Sequence, residues 1–460
     1  MEDLQQLFNN KKICILGYGR EGRSTLRWLQ KHVPGNIKAL TIADENPAAL
    51  KGRELQDIPC KLRYGYDYLA GIKNYDLVIK SPGVNLSKAN VHIPEAIITS
   101  QSDLFLRQFS EQCIGITGTK GKSTCSSLLY EMLLNSGFHV IFLGNIGSPP
   151  LDAWSDITPQ TKVVFELSSH QLEHITKGPS TAILLNLFQE HLDHYTNFRH
   201  YQLAKFNITL KQTPGSILIT HYNDGRISSL LKDHPLDRDI QYFSHEKHNF
   251  RGMYIEAGDF IHNTKNGSSV FAGCGDLLAL QGKHNQLNVM AAALAALNHN
   301  SDKETLKRTM AKFKGLNHRM EYVANVNGVI FYNDAVATVP EATMAAVEAL
   351  KNTGTLILGG FDRGINYTEL ARFLCQAKID NLIFMGDAGS RILSLMKCEA
   401  EVPGSKIFFA EDMEKALRFA VKHTRAGSIC LLSPAAPSYD KFRNFEHKGN
   451  TFKEFIYKLK

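Results

Sequence analysis

The sequence predicts an α/β protein of parallel sheets in about three domains, on three observations. Short apolar or β-branched runs alternate with helical stretches along most of the chain, the rhythm of strands joined by crossover helices. Two glycine-rich turns, at residues 17–22 and 118–124, stand where such a strand would pass into a helix. The 460 residues correspond to about three domains at ~150 residues each.

Bulk properties narrow the class. Hydrophobic residues make up 43% and charged residues 21%, so a sizeable core is easily built. The net charge of +7 is well mixed along the chain. It suits anionic substrates, and without a basic stripe carrying interleaved aromatics it argues against nucleic acid. The segment MEDLQQLFNN lacks the basic-then-apolar order of a signal peptide. No apolar run approaches the ~20 residues of a membrane span. Eight scattered cysteines without a C-x-x-C pair read as reduced core residues of a cytoplasmic protein.

Residues 11–17 (KKICILG) form a first strand, followed by Gly17-Tyr18-Gly19-Arg20-Glu21-Gly22 and a helix to about His32. KALTIAD, ending at Asp44, and DLVIKSPG (76–83) are further strands. A G-x-G-x-x-G turn with an acid about 20 residues on makes this domain Rossmann-like. Two readings stay open here: an NAD site, or a tight turn that binds nothing. Residues 98–112 read as a linker.

Cys113–Thr117 form a buried strand. Gly118 and Gly121 let the backbone turn where a Cβ would clash. Ser123 opens a helix with Leu128, Leu129, Met132 and Leu133 on one face and Gly137 as its stop. Free N–H groups and the positive end of a helix dipole then converge on one point, which suits a phosphate. Lys122 would reach the β- and γ-phosphates and Ser123 would sit on Mg²⁺. The general pattern asks for glycine where the chain has Ile116, so a plain strand-turn-helix with a surface lysine is the alternative.

HVIFLGNIG (139–147) is a strand ending in a glycine loop, with Asn145 able to tolerate a left-handed turn. KVVFE (162–166) ends in Glu166, the place for a metal-site acid in a phosphate-binding α/β domain, or else an edge-exposed acid. A strand ending at Asn186 precedes Glu190, His191, Asp193 and His194. Without an H-E-x-x-H pattern or nearby cysteines, this cluster argues against zinc. Lys205 reads as a surface lysine on a helix, and His194 as a solvated histidine. Residues 215–280 read as short strands and turns without chemistry. An alanine-rich helix at 282–297 carries Asn285 and Asn288 on one face. In the last third, TLILGGF, NLIFMG, KIFFA and SICLLSP alternate with helices. Ligands of such sheets bind at carboxyl strand ends, here Gly359–Gly364 and Ser433–Phe445.

The form T-G-T-x-G-K-S-T resembles the Mur ligases, ATP-dependent amide-forming enzymes of peptidoglycan precursor synthesis, and is similar to folylpolyglutamate synthases. Family motifs follow in order. They are G-N-I-G at Asn145, E-L-S-S-x-Q-L-E from Glu166 to Glu173, and a variant of N-x-x-x-D-H-x-D with Glu190 for the usual aspartate. Then come Y-x-x-A-K at Lys205, H-N-x-x-N at His284, Asn285 and Asn288, H-R at Arg319, and S-P-A at Ser433.

The resemblance implies three domains: 1–100 for the UDP part of the substrate, a P-loop ATPase-like domain at 101–314, and a Rossmann-like 315–460 for the amino acid. It places ATP on Gly118, Thr119, Lys120, Gly121, Lys122, Ser123 and Thr124. Asn285 and Asn288 lie near adenine, Arg319 at the phosphates and Asp334 near the ribose. It implies Mg²⁺, as two ions, on Ser123, Glu166, His191 and a carbamylated Lys205, with Lys122, His191 and Lys205 catalytic. Arg20 and Glu21 become phosphate or uracil neighbours, Asp44 and Glu45 nucleoside-end candidates, and Gly83 and Asn145 substrate contacts.

The last domain resembles the branch that adds glutamate to UDP-N-acetylmuramoyl-L-alanine. Ser438 and Phe445 would cradle one glutamate carboxylate, Thr338 and Arg363 the other, arginine being a bidentate donor. That branch has D-S-K-A-T-N where this chain has Asp334-Ala335-Val336-Ala337-Thr338-Val339. The lysine is Val336, so another residue supplies the charge or the amino-acid preference differs. The implied enzyme is a cytoplasmic, monomeric ligase working through an acyl phosphate, without nucleic-acid or membrane partners. The rivals are ligation of L-glutamate or another amino acid, a folylpolyglutamate-type ligase, an NAD-dependent oxidoreductase that leaves G-K-S-T unexplained, and a nucleotide-binding envelope regulator without turnover.

Overall fold

The structure is a computed structural model describing residues 6–35, 37–52, 55, 58–86, 94, 97–144, 148–190, 194–235, 237–276, 282–313, 315–399, 404–438 and 441–459. Asn145 and His191 lie outside the described residues. The chain divides into two compact units after Phe313, and the strands among the described residues form three sheets.

The first sheet runs β3-β2-β1-β4-β5 and is parallel throughout. Its strands are β1 (Lys11–Leu16), β2 (Ile37–Asp44), β3 (Cys60–Tyr64), β4 (Leu77–Lys80) and β5 (Ile98–Thr99). Helix α1 (Arg20–His32) crosses from β1 to β2 and buries Leu26, Trp28 and Leu29. Strand order reverses between β1 and β4, so the Gly17 and Ser81 turns face each other across a switch point. A Cβ on Gly17, whose φ is +89°, would lie 2.8 Å from that of Ser81. Only glycine admits this approach.

The stretch 98–112 is not a linker. Ile98 pairs with Val78 as part of β5, and α2 (Gln101–Phe109) follows, capped by Ser100 Oγ accepting from Asp103 N at 3.1 Å. Leu104, Phe105 and Leu106 are fully buried, each worth ~1.5–3 kcal/mol of apolar burial. Trp28 and Phe109 both pack edge-on against Trp154, at 4.9 and 4.7 Å, welding the first sheet to the second.

The second sheet runs β14-β13-β12-β11-β10-β9-β6-β8-β7. Its first half comprises β6 (Cys113–Thr117), α3 (Lys122–Asn135), β7 (Val140–Gly144), β8 (Lys162–Glu166), the short helix α4 (Ser169–Leu172), β9 (Thr181–Leu184) and α5 (Phe198–Leu210). The four apolar residues expected on the face of α3 are all fully buried. Next come β10 (Ile217–His221), α6 (Gly225–Asp233), β11 (Asp239–Ser244), β12 (Gly252–Glu256), β13 (Asp259–Thr264) and β14 (Gly267–Gly273). Beyond the expected strands, residues 215–280 thus hold a helix, started by the Asp224 carboxylate at the N–H groups of Arg226 and Ile227. Helices α7 (Lys283–Asn298) and α8 (Lys303–Lys312) complete this unit; Val289–Ala296 of α7 is buried.

The second unit carries the sheet β15-β16-β20-β17-β18-β19, parallel except at its β15/β16 edge. Its elements are β15 (Glu321–Val326), β16 (Val329–Asn333), α9 (Pro340–Ala349), β17 (Thr353–Gly359), α10 (Thr368–Gln376), β18 (Asn381–Met385), α11 (Gly386–Glu399), β19 (Lys406–Phe409), α12 (Met413–His423), β20 (Ile429–Leu432) and α13 (Phe445–Leu459).

Candidate functional site

The glycine loop between β6 and α3 is held from three sides. Asn186, just past β9, accepts from Lys120 N at 2.9 Å and donates to Lys120 O at 3.0 Å. Its main-chain oxygen accepts from Thr119 N at 3.0 Å. Thr119 Oγ1 lies 2.9 Å from the hydroxyl of the buried Tyr201. A Cβ on Gly118 (φ +155°) would meet Leu185 at 2.9 Å; one on Gly121 (φ +86°) would meet Asn288 Oδ1 at 2.3 Å. The loop in this shape therefore calls for glycine at both positions. From the sequence Asn186 has no role of its own, although it stands at the end of an apolar strand and opens the N-x-x-x-D-H-x-D variant.

Lys122 folds back, donating to Gly118 O at 2.9 Å and Thr119 O at 3.1 Å. Behind it, Ser123 Oγ is 3.4 Å and Ser126 Oγ 3.2 Å from the two oxygens of Glu166. Glu166 is not at a sheet edge: β8 lies between β6 and β7, and the side chain is fully buried. A carboxylate beside a hydroxyl is a hard-oxygen donor set that fits Mg²⁺. Thr124 is half-buried in the first turn of α3.

Lys205 corrects the surface reading: it is 2% exposed, its ammonium 5.0 Å from the Tyr201 ring centroid. Burial, then the Lys122 charge, drives its pKa well below the usual lysine range, against the opposing pull of Glu190 and Glu166. His194 is also misread as solvated. Its ring contacts His170 at 4.2 Å and its Nε2 lies 3.6 Å from Glu173. Among the described residues, no group of three or more His, Cys, Asp or Glu side chains could hold a metal.

Beside the loop is a mainly apolar slot of about 390 Å³, lined by Gly121, Asn186, Phe188, His221, Phe243 and Asn288 among others. Asn288 donates to Asn285 at 3.4 Å, and Lys120 pairs with Glu190. A second cleft, of about 370 Å³, opens at the switch point of the first sheet. Arg20, Glu21, Asp44, Glu45 and Gly83 all line it, together with Tyr68 and Ser81. Asp44 is braced there by Tyr18 N at 2.6 Å and Asn46 N at 2.7 Å. Burial pushes the Glu21 carboxyl up to about 7, against the lowering effects of Gln171, Lys80 and Arg20.

In the second unit, Asp334 accepts from Ser433 Oγ at 2.8 Å and Met320 N at 3.1 Å. Burial raises it to about 6, with Ser433, Met320 and Arg319 opposing. Arg319 is exposed, between two residues with positive φ, His318 and Met320. Thr338 is half-buried, Arg363 exposed and Ser438 buried. The Phe445 ring lies 6.2 Å from that of His318. Lys448, which the sequence did not single out, is buried and donates to Gly359 O at 2.7 Å.

These sheets and the loop after β6 define an α/β protein of the P-loop class. Comparison with known proteins sharpens this. Residues 116–296 match the profile of the Mur ligase middle domain, and residues 318–436 that of the Mur ligase glutamate ligase domain. The UDP-N-acetylmuramoylalanine–D-glutamate ligase of Ruminiclostridium cellulolyticum is 30% identical over 475 residues, covering 100% of this chain and 99% of the relative. The protein of the same name from Pelotomaculum thermopropionicum is 32% identical over 460 residues, covering 98% and 99%. The solved UDP-N-acetylmuramate-alanine ligase of Thermotoga maritima shares the fold, with a TM-score of 0.53 at 19% identity over 98% of this chain and 100% of that one. The chain belongs to the Mur ligase family.

Proposed function

We propose that the chain is an ATP-dependent ligase joining D-glutamate to UDP-N-acetylmuramoyl-L-alanine in peptidoglycan precursor synthesis. The observation that carries the chemistry is the buried Ser123–Glu166 contact behind a glycine loop whose lysine is Lys122. The substrates follow from the names of relatives aligned over their full length.

In this reading the carboxylate of the alanyl substrate attacks the γ-phosphorus of ATP and ADP leaves, giving an acyl phosphate. The glutamate amine then attacks the activated carbonyl, phosphate leaves, and the amine loses its proton. Lys122 extends from its carbonyl cradle to neutralise the transferring phosphoryl group. Ser123 and Glu166 would hold Mg²⁺, which neutralises phosphate charge when bound. The slot lined by Asn288, with Asn285 hydrogen-bonded to that residue, takes the adenine, and Arg319 offers a guanidinium to phosphate. The cleft at Arg20 and Asp44 takes the UDP part. Thr338, Arg363, Ser438 and Phe445 serve glutamate, and Asp334 stands near the nucleotide ribose.

Lys205 is proposed as a carbamate. Burial favours its neutral amine, which adds to CO₂ with loss of a proton, converting an ammonium into an oxygen ligand for a second Mg²⁺. The working modules are 1–100, 101–314 and 315–460, in a cytoplasmic monomer. No described helix is long and apolar enough to cross a membrane.

The test is product formation by mass spectrometry, with UDP-N-acetylmuramoyl-L-alanine, ATP, Mg²⁺ and D- or L-glutamate in separate reactions. Product with D-glutamate alone is expected. Product with L-glutamate alone would assign the Val336 departure to a changed pocket, and none with either would overturn the reading.

A further inference from the structure

Two part-buried polar bridges join the first sheet to one short helix of the second. From β4, the Lys80 ammonium reaches Glu173 Oε2 at 3.2 Å, with the lysine side chain 2% exposed. From the first turn of α1, Glu21 Oε1 accepts from Gln171 Nε2 at 3.1 Å. Gln171 and Glu173 both belong to the segment around α4. The Gln171 amide works in two directions, because its oxygen also accepts from Ser168 N at 3.0 Å and closes a capping box with Ser168.

Both bridges are rigid at their cleft ends. Glu21 O accepts from Gln101 Nε2 at 2.7 Å and Thr25 Oγ1 at 2.9 Å. The residue after Lys80 is tied to the opposite wall by Ser81 Oγ donating to Gly17 O at 2.9 Å. They are equally rigid at the nucleotide end. Leu167 N donates to Ile116 O at 2.8 Å, and Thr117 Oγ1 donates to Leu167 O at 2.7 Å. Leu167 directly follows Glu166, and Thr117 directly precedes the glycine loop. A continuous chain of buried and part-buried contacts therefore runs from the walls of the 370 Å³ cleft to the loop and Glu166.

Burying charge in such a seam is costly unless it is paired and hydrogen-bonded. Burial lowers the Lys80 pKa, with Glu173 opposing. Glu173 is desolvated too, yet Lys80, His174 and His194 together hold its carboxyl below the usual range.

We infer that Lys80 and Gln171 are positioning residues that set the reach of a substrate held in the first-sheet cleft relative to the phosphoryl group at the loop. The inference rests on the proposed ligase reading. A small misplacement of reacting groups is enough to lower the rate of transfer about 100-fold. A misaligned acyl phosphate is also open to water, so phosphate would form without amide.

The test is steady-state kinetics on the full chain for Lys80→Met, Lys80→Arg and Gln171→Met, with titration of UDP-N-acetylmuramoyl-L-alanine into each protein. Lys80→Met should raise KM for the UDP substrate about tenfold or more and lower kcat, leave KM for ATP within about twofold, and release phosphate in excess of amide. Gln171→Met should move the same parameters, so the inference does not depend on the folding of one variant. Lys80→Arg should restore coupling. Unchanged KM and coupling in Lys80→Met and Gln171→Met overturn the inference while leaving the ligase reading intact. So does an equal loss for both substrates that arginine fails to rescue. A wild-type protein that neither binds the UDP substrate nor makes product overturns the ligase reading itself.

Discussion

Gly121→Ala separates backbone strain from steric exclusion at the glycine loop. Gly121 has φ +86° and ψ −10°, the left-handed region. An alanine there costs ~1–2 kcal/mol. Its Cβ would also stand 2.3 Å from Asn288 Oδ1, inside any real contact distance. Forcing a side chain aside in a packed site adds ~1–3 kcal/mol. The free protein escapes both costs by letting the loop leave its phosphate-ready shape; bound nucleotide must restore it. The whole ~2–5 kcal/mol then appears as weakened ATP affinity, about 30-fold to several thousandfold. Calorimetric titration with a non-hydrolysable ATP analogue measures it, with thermal unfolding as the control for the fold. Asn288→Ala completes a double-mutant cycle. If steric exclusion dominates, the double variant binds better than Gly121→Ala alone; if φ strain dominates, it does not. Binding by Gly121→Ala within about twofold of wild type would refute the assignment of this loop to nucleotide.

Lys205→Ala should leave weak activity that short carboxylic acids partly restore, because the missing group is an oxygen ligand; full activity without added acid would remove Lys205 from the site. Asp334 supplies a pH signature. Its pKa rises from 3.8 to about 6 on folding through burial, so the fold binds its proton more tightly than the unfolded chain. The associated stability is fully present below pH 3.8 and lost as pH rises through about 6, on the order of 3 kcal/mol in all. Asp334→Asn should flatten that limb and raise the unfolding temperature of the second unit at pH 8, measured by scanning calorimetry; an unchanged pH dependence would sink the assignment.

What could be read from the sequence was local. The strand-turn-helix at 113–135 and the parallel rhythm depend on hydrophobic period and on glycines whose backbone shape the structure requires. The stretch 98–112 was misread because Ser100-Gln101-Ser102-Asp103 looks like a polar linker, although Ser100 and Asp103 have the spacing of a helix cap and Leu104–Leu106 follow directly. The buried states of Lys205 and Lys80 and the partly buried state of His194 were invisible for a different reason. Each depends on an approach between distant segments, as when Lys80 meets Glu173 across 93 residues and Glu21 meets Gln171 across 150. Composition carries no trace of such docking, and a lysine on an isolated helix or strand end defaults to solvent.

The Val336 departure can be tested as electrostatics rather than as loss of a contact. Asp334 and Val336 share a tight turn, with Ala337 N donating to Asp334 O at 2.9 Å and Val336 N to His318 O at 3.1 Å. Asp334 is served by one hydroxyl and one backbone N–H, and the charge that lowers it comes from Arg319, an exposed side chain. These do not offset burial, which is why the carboxyl stands near 6. Val336→Lys would place an ammonium two residues along that turn, from a half-buried position with access to water. An opposite charge that comes within ~4–6 Å lowers a carboxyl's pKa by about 1–3. The stability limb described for Asp334 should therefore shrink as its folded pKa falls back toward the unfolded 3.8, seen as a flatter calorimetric pH profile, with no further change when Val336→Lys is added to Asp334→Asn. If the profile of Val336→Lys overlays wild type, position 336 is electrically remote from Asp334. The lysine common to the glutamate-adding branch would then act on something other than this acid, and its replacement by valine would leave the Asp334 turn intact.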